Sequence, residues 1–373
     1  MKWGDKMEIK CIHTGDIHLG MEFKNASFDK EQAYNRRIEL WETFNRIIDR
    51  AKKKEVDLLL IAGDLFEDKY CTIGDVKRIS DRFRDIKGTK VVIAAGNHDP
   101  CSNKSLYRLI EWSDNVHIFD SNTVQKIEFQ DINTVVWGLS WDKKEEKESL
   151  LDNLEVENDE KINILLVHGD LLNDRSNYLP ISKEKLINSR FDYIALGHIH
   201  KPQFIDDNIA YCGSPEPLDF GEPGDHGIIE GVISKEKIKM TFTSLRKREF
   251  VIKSLELNES MSFNDIIDLV SNCDEEKNRR KNLYRIVLKG VRDSDINIDL
   301  QELKNILNDK FYYIELIDKS KPDYDIDKIL KDNKGNIIGC FIEEMKKKGL
   351  DDPIVKEALY YGLEELFKEK VIK

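Results

Sequence analysis

Asp57-Leu58-Leu59-Leu60-Ile61-Ala62-Gly63-Asp64 carries the most hydrophobic strand-sized run of the chain straight into a glycine and a solitary carboxylate. At the end of a strand, glycine permits the sharp backbone turn that aims the next side chain at a shared centre. Asp64 is therefore expected to lie buried where this strand leaves its sheet. The same order of turn and polar side chain recurs in Gly15-Asp16-Ile17-His18, Gly96-Asn97-His98-Asp99, His168-Gly169-Asp170 and Gly197-His198-Ile199-His200.

Around these clusters, short apolar strands alternate with helical stretches. Strands are predicted at 9–14, 57–62, 90–95, 163–167, 193–196, 209–212 and 227–243, with shorter ones between 116 and 139. Over 31–54, Ile38, Trp41, Phe44, Ile47, Ile48 and Ala51 recur at helical spacing, and a second helix is predicted over 75–86. This alternation specifies an α/β fold, a two-sheet β-sandwich flanked by helices. After Arg248 the histidines stop and Lys- and Glu-rich helical segments are expected. The 282–324 stretch reads strand (284–288), helix (299–307), strand (312–317), a smaller α/β accessory domain. Residues 326–370 read as mainly helical, with Ile338, Cys340, Phe341, Met345, Leu359, Leu363, Leu366 and Phe367 taken as packing residues ahead of a docking surface. The expected division is 1–248, 249–325 and a helical segment 326–373, in keeping with a 373-residue chain.

Hydrophobic residues make up 40% of the chain and charged residues 35%, a globular composition. The longest apolar runs are far short of the ~20 residues of a membrane span. The polar stretch 1–10 lacks an apolar signal core, so a cytoplasmic location is expected. Six scattered cysteines without a C-x-x-C pair read as reduced thiols. A net charge of −12 tells against simple electrostatic binding to nucleic acid, which depends on Lys and Arg neutralising phosphates. Bound cations, a local basic patch or a basic partner would have to offset it.

Seven of the eight histidines fall within the first 200 residues, most of them inside the clusters. Carboxylate and amide oxygens mixed with imidazoles suit Mn²⁺, Fe²⁺ or Zn²⁺. In Asp16-x-His18 and His198-x-His200 the alternate residues are expected on one side of an extended strand end, where both reach one centre. Asp64 is the candidate bridge between two cations. Such a pair, ~3.5–4 Å apart, is the apparatus of in-line displacement at phosphorus. His13 is read as packing within the first strand, and His117 and His226 as structural. Trp137 and Trp141 are read as core aromatics ahead of base-stacking platforms.

The ordered blocks resemble those of the calcineurin-like metallophosphoesterase superfamily: D-x-H, G-D, G-N-H-[DE], H and G-H-x-H. Within it, residues 13–20, 62–66 and 197–202 are similar to the SbcD group of DNA repair nucleases. So is Tyr211-Cys212-Gly213-Ser214-Pro215-Glu216-Pro217 with the following Asp219-Phe220-Gly221-Glu222. The likeness covers about residues 7–245, and the tail resembles the YhaO branch more loosely. The resemblance implies two Mn²⁺ ions, one held by Asp16, His18, Asp64 and His200, the other by Asp64, Asn97, His168 and His198. It implies that His98 is no ligand but acts at the scissile phosphate, with Asp99 orienting it. Glu67 departs from the pattern: some members carry histidine there, and a plain solvent-facing acid is the alternative reading. The resemblance further implies a Mn²⁺-dependent DNA nuclease, 3′ to 5′ exonuclease with single-strand endonuclease activity. A homodimer and a long coiled-coil ATPase partner of the SbcC or YhaN type are implied with it, and the accessory domain as a cap on the site. The rival within enzymes is a small-molecule phosphodiesterase or phosphoprotein phosphatase. Outside them it is a non-catalytic scaffold, which would have lost ligands that this chain keeps.

Overall fold

The computed structural model describes residues 8–23, 28–151, 154–156 and 160–371, so most of the polar N-terminal stretch lies outside the described residues. By compactness the chain divides into Met1–Glu249 and Phe250–Lys373.

In the first unit the elements run β1 (Glu8–Thr14), α1 (Lys30–Lys54), β2 (Leu58–Ala62), α2 (Ile73–Arg84), β3 (Lys90–Ala94), β4 (Val116–Ile118), β5 (Gln125–Phe129) and β6 (Thr134–Gly138). They continue as β7 (Ile162–His168), α3 (Lys183–Asn188), β8 (Tyr193–Gly197), β9 (Gln203–Asp206), β10 (Ile209–Tyr211), β11 (Gly227–Ser234) and β12 (Ile238–Ser244). Two six-stranded sheets result, ordered β12-β11-β1-β2-β3-β4 and β5-β6-β7-β8-β10-β9. Both sheets have a parallel centre, β1 to β4 in one and β6, β7, β8 and β10 in the other, with antiparallel strands outside.

The apolar run of β2 follows from this layering. Leu58, Leu60 and Ala62 pack with Val136, Ile164, Leu166 and Ala195 of the other sheet. Leu59 and Ile61 pack with Phe44, Ile47 and Ile48 of α1 and with Val76, Ile79 and Phe83 of α2. A parallel strand covered on both faces needs apolar side chains at every position, each large one contributing about 1.5–3 kcal/mol on burial. α1 begins at an Asp29–Gln32 capping box, ends with three lysines in its last turn, and stops where Glu55 turns left-handed (φ 52°). Its buried face includes Leu40, whereas Ile38, expected inward, is 38% exposed.

The expected strand 227–243 is a hairpin, because Lys235-Glu236-Lys237 turns between β11 and β12 and the Ser234 and Lys237 backbones close it. Edge strand β9, with alternating burial, carries too little apolar signal to be anticipated.

A charged cluster is buried beside α1. Arg36, fully buried, pairs with Glu39 and with Glu216 Oε1 (3.2 Å) and donates to Pro217 O (2.8 Å). Glu216 also accepts from Thr43 Oγ1 (2.9 Å) and from the Lys247 and Arg248 amides (2.7 and 3.1 Å). These bonds fasten the Gly213–Pro217 turn to the first helix.

The second unit runs β13 (Phe250–Leu257), α4 (Phe263–Ser271), α5 (Glu276–Arg279), β14 (Leu283–Arg292), α6 (Leu300–Leu307), β15 (Tyr313–Asp318), β16 (Lys321–Pro322), α7 (Ile326–Asp332), α8 (Ile337–Lys348) and α9 (Pro353–Val371). β13, β14 and β15 form a parallel sheet, and Ile266, Val270, Leu303 and Leu307 from α4 and α6 cover Tyr284, Ile286 and Leu288. The chain after Arg248 thus opens on a strand, not on the helix expected: β13 sets half-buried Val251, Lys253 and Leu255 against exposed Ile252, Ser254 and Glu256, and its charged residues mask the strand pattern. In the tail, Ile338, Ile342, Met345, Leu359 and Leu363 share a small core, while Cys340 faces solvent. Among the described residues no helix is long and apolar enough to cross a membrane.

Removing the guanidinium from the buried cluster leaves Glu39 and Glu216 facing one another without it. Arg36→Ala is expected to destabilise the first unit by about 3–5 kcal/mol. All five tryptophans precede residue 142, so urea unfolding followed by tryptophan fluorescence reads this unit alone. A midpoint equal to the parent's would show that the cluster contributes nothing.

Candidate metal centre

The five polar clusters stand at the C-terminal ends of β1, β2, β3, β7 and β8, on both sheets of the sandwich. Their loops are knit together through the backbone: Asp16 N donates to Gly63 O (3.0 Å), and Ile17 N and His18 N both donate to Asp64 O (2.9 Å). Asp16, His18, Asp64 and His198 are all left-handed, with φ of 49°, 50°, 50° and 100°. Non-glycine residues take that conformation at a cost, and such strain gathers at functional sites. The side chains therefore converge through left-handed turns, not through alternation along an extended strand end as the sequence suggested. Gly63 supplies the turn before Asp64 (φ 84°). Gly96 is needed for close approach, since a Cβ there would collide with Asp64 Oδ1.

Asp64, 2% exposed, sits in the middle. Its Oδ2 lies 3.7 Å from His18 Nε2 and 3.4 Å from His168 Nε2, and its Oδ1 accepts from His98 N (2.8 Å). On one side His18 Nε2 faces His200 Nε2 at 3.2 Å, with Asp16 Oδ1 4.0 Å from His200 Nε2. On the other, His168 Nε2 is 2.9 Å from Asn97 Oδ1, and the His168 and His198 rings stand edge to face at 5.2 Å. Both Asp16 oxygens accept from His198 N (3.1 Å each), which ties the two sides together. Asp16, His18, Asp64, His168 and His200 thus converge, with Asn97 Oδ1 against His168, while His198 joins them through its backbone amide and the edge of its ring. Donor atoms of Asp16, His18 and His200, and of Asp16, Asp64 and His168, lie close enough for each group to surround a cation.

Three of the histidines are aimed from behind. His18 Nδ1 donates to Glu67 Oε1 (2.8 Å), His200 Nδ1 to Glu222 Oε1 (2.6 Å) and His168 Nδ1 to Ala62 O (2.9 Å). Each bond fixes the tautomer and leaves Nε2 directed inward. With both Nδ1 protons committed, the facing Nε2 atoms of His18 and His200 need a cation or a shared proton between them, and a divalent cation serves both rings at once. The donor set, imidazole nitrogen with carboxylate and amide oxygen and no thiolate, fits a divalent transition metal. Charge in the centre follows the same logic. Burial pushes Asp64 upward, but the charges of His168, His18 and His98 outweigh it and hold the carboxyl at about 2. Burial raises Asp16. Burial opposes a proton on His200, yet the Glu222 hydrogen bond and the Asp16 charge raise it to about 9. Burial and His168 lower His198 to about 4.

His98 borders the centre with its side chain 44% exposed and its ring 4.8 Å from that of His18. Asp99 does not orient it. The Asp99 carboxylate accepts from the amides of Asp64, Leu65 and Gly96 and from Tyr107 Oη (3.1, 2.7, 2.7 and 2.7 Å), and these four bonds consume its acceptors. It clamps the β2 and β3 loops together, and burial followed by the Asp64 charge raises it to about 6. His98 Nδ1 is instead held by Glu67 (3.1 Å to Oε2). Glu67, whose side chain is 12% exposed, is not the solvent-facing acid of the alternative reading. Burial raises it, but hydrogen bonds from His18 and His98 hold it at about 2.

Sequence reading also missed Glu222, Tyr107 and Trp141 as supports. Glu222 closes the block that begins at Tyr211, but nothing in the sequence pairs it with His200. Trp141 is a core aromatic as expected, and its Nε1 donates to His168 O (2.7 Å). Trp137 is likewise buried, on Asn163 Oδ1 (3.0 Å). His117 packs against Phe129. His226 is buried on Ser214 and the Glu222 carbonyl. His13 is buried between Tyr193 Oη (3.0 Å) and Leu196 O (3.2 Å), outside the centre.

A sandwich of two mixed sheets with Asp, His and Asn converging at its strand ends defines a metal-dependent phosphoester hydrolase. The calcineurin-like phosphoesterase pattern matches residues 9–202, more than half of the chain, and the protein belongs to that family, which works through a dinuclear divalent metal site. Similar proteins include the uncharacterized metallophosphoesterase YhaO of Bacillus subtilis, 26% identical over 76% of this chain and 72% of that one. The DNA double-strand break repair protein Mre11 of Methanocaldococcus jannaschii is 27% identical over 70% and 73%. The SbcD component of the nuclease SbcCD of Staphylococcus saprophyticus is 27% identical over 64% and 69%.

Burial lowers His13 from 6.5 to about 3. The folded protein keeps it neutral while the unfolded chain protonates it below about 6.5. Its contribution is therefore undiminished above that pH and is lost as pH falls toward 3, at about 1.4 kcal/mol per unit. The stability difference between the parent and His13→Gln, measured by urea unfolding from pH 4 to 7, is expected to shrink by this slope on acidification. A difference independent of pH would contradict the burial of a neutral imidazole.

Proposed function

We propose that the protein is a Mn²⁺-dependent DNA nuclease that hydrolyses phosphodiester bonds, acting as a 3′ to 5′ exonuclease with single-strand endonuclease activity. The observation that carries this reading is the inward aim of His18, His168 and His200 around buried Asp64. In this reading Asp16, His18, Asp64 and His200 hold one cation, and Asp64, Asn97, His168 and His198 the other. Bound there, the pair supplies a nucleophile at neutral pH and neutralises charge on the phosphoryl group.

The protein's own part is positioning. Asp64 sets the spacing of the two sides, and the left-handed turns bring ligands from both sheets to one point. His98, half-exposed beside the centre with its Nδ1 proton committed to Glu67, has Nε2 left to donate a proton to the leaving oxygen or stabilise the developing charge. Asp99 keeps the β2 and β3 loops in register beneath it. The names of two relatives, the nuclease component SbcD and the DNA repair protein Mre11, favour DNA over small phosphodiesters or phosphoproteins, which the same centre would serve. By the same analogy the protein works as a homodimer in DNA repair with a coiled-coil ATPase subunit. That partner would bring the excess of positive charge that a chain with 59 Lys and Arg against 71 Asp and Glu does not supply. The second unit, Phe250–Lys373, would act as a cap that selects DNA ends.

The Mn²⁺-loaded protein is expected to shorten labelled duplex DNA from its 3′ ends in preference to cyclic nucleotides or a phosphopeptide. Asp64→Asn is expected to lower that rate on the order of hundredfold or more. Inertness on every DNA substrate with activity on a cyclic nucleotide would replace this reading by the small-molecule one.

A further inference from the structure

Glu67 stands between two imidazoles that belong to different tasks. Its Oε1 accepts from His18 Nδ1 at 2.8 Å, and His98 Nδ1 lies against both carboxylate oxygens, 3.0 Å from Oε1 and 3.1 Å from Oε2. The backbone around it is pinned to the same two loops: Glu67 N donates to Leu19 O (2.9 Å) and Asp68 N to His98 O (3.0 Å). The carboxylate is largely shielded from water, so neither bond is diluted by solvent. A carboxylate is the one side chain that offers two acceptor oxygens and no donor. Glutamine would present an N–H to one of the rings, and a shorter or apolar side chain would release both.

We propose that Glu67 is a positioning residue that holds His18 and His98 by their Nδ1 atoms at once, so that one carboxylate sets both the inward aim of a metal ligand and the orientation of the proton donor beside it. This rests on the metal-centre reading given above. With Nδ1 committed, His18 Nε2 points to Asp64 and His200, and the Nε2 of half-exposed His98 is left out of the bond to Glu67. The two rings meet edge to face at 81°, and rotation of either would break its bond to the shared acceptor. Ligand and donor are coupled through the protein, independently of the substrate.

The test uses the full chain, with bis(p-nitrophenyl) phosphate at saturating Mn²⁺ and with Mn²⁺ binding measured by titration calorimetry. Circular dichroism melting confirms that E67Q, nearly isosteric, is folded. E67Q is expected to lower kcat about ten- to hundredfold with KM within about twofold, and to weaken binding of Mn²⁺ about tenfold or more. In the H98A background the same E67Q change is expected to cost less than about a third, on a logarithmic scale, of what it costs in the parent. Equal losses in the two backgrounds, or full kcat with unaltered Mn²⁺ affinity, would overturn the proposal. If the parent hydrolyses no phosphodiester, the functional reading fails instead, and the calorimetric comparison alone still decides whether Glu67 aims His18.

Discussion

Burying the Asp64 carboxylate at the end of β2 sets the terms for the rest of the site. An ionised group removed from water is costly unless cations and hydrogen-bond donors replace its hydration. Here His18 and His168 stand on either side of one oxygen and the His98 amide donates to the other. The most hydrophobic strand of the chain, packed on helices by one face and on the second sheet by the other, makes that position dry and rigid. A dry, rigid carboxylate between two groups of nitrogen and oxygen donors is what a pair of divalent cations requires as a bridge.

The outer contacts give the centre its definition. Glu67, Glu222 and the Ala62 carbonyl each take an Nδ1 proton, so three imidazoles have no freedom to turn away. Asp99 clamps two loops through four hydrogen bonds, and Trp141 holds the backbone of His168. Farther out, the buried Arg36 cluster fastens the Gly213–Pro217 turn, which leads into the segment carrying Glu222. Support thus passes from the first helix to a metal-facing imidazole through side chains that never meet a cation.

Much of this is legible in the amino-acid sequence because it is local. A strand, a turn and a polar residue sit within eight positions of one another, and five such blocks announce their own convergence. The supports are not legible, since His18 and Glu67 are 49 positions apart and His200 and Glu222 are 22 apart, with no periodicity linking them. Proximity in sequence also misleads. Asp99 follows His98 directly yet turns to the backbone amides of Asp64, Leu65 and Gly96, while the ring of His98 goes to Glu67. In the second unit β13 reads as helical because charged residues interrupt its apolar pattern, and the 227–244 hairpin reads as one strand because its turn lacks glycine and proline. The left-handed turns at Asp16, His18 and Asp64 leave no mark in composition.

The central claim is that side chains from five loops jointly grip two cations across Asp64. Anomalous diffraction from crystals soaked in Mn²⁺ tests it most directly. Two peaks ~3.5–4 Å apart on either side of the Asp64 carboxylate, one beside His18 and His200 and the other beside Asn97 and His168, are the predicted result. A single peak away from Asp64, or none at full Mn²⁺ occupancy elsewhere in the crystal, would contradict it.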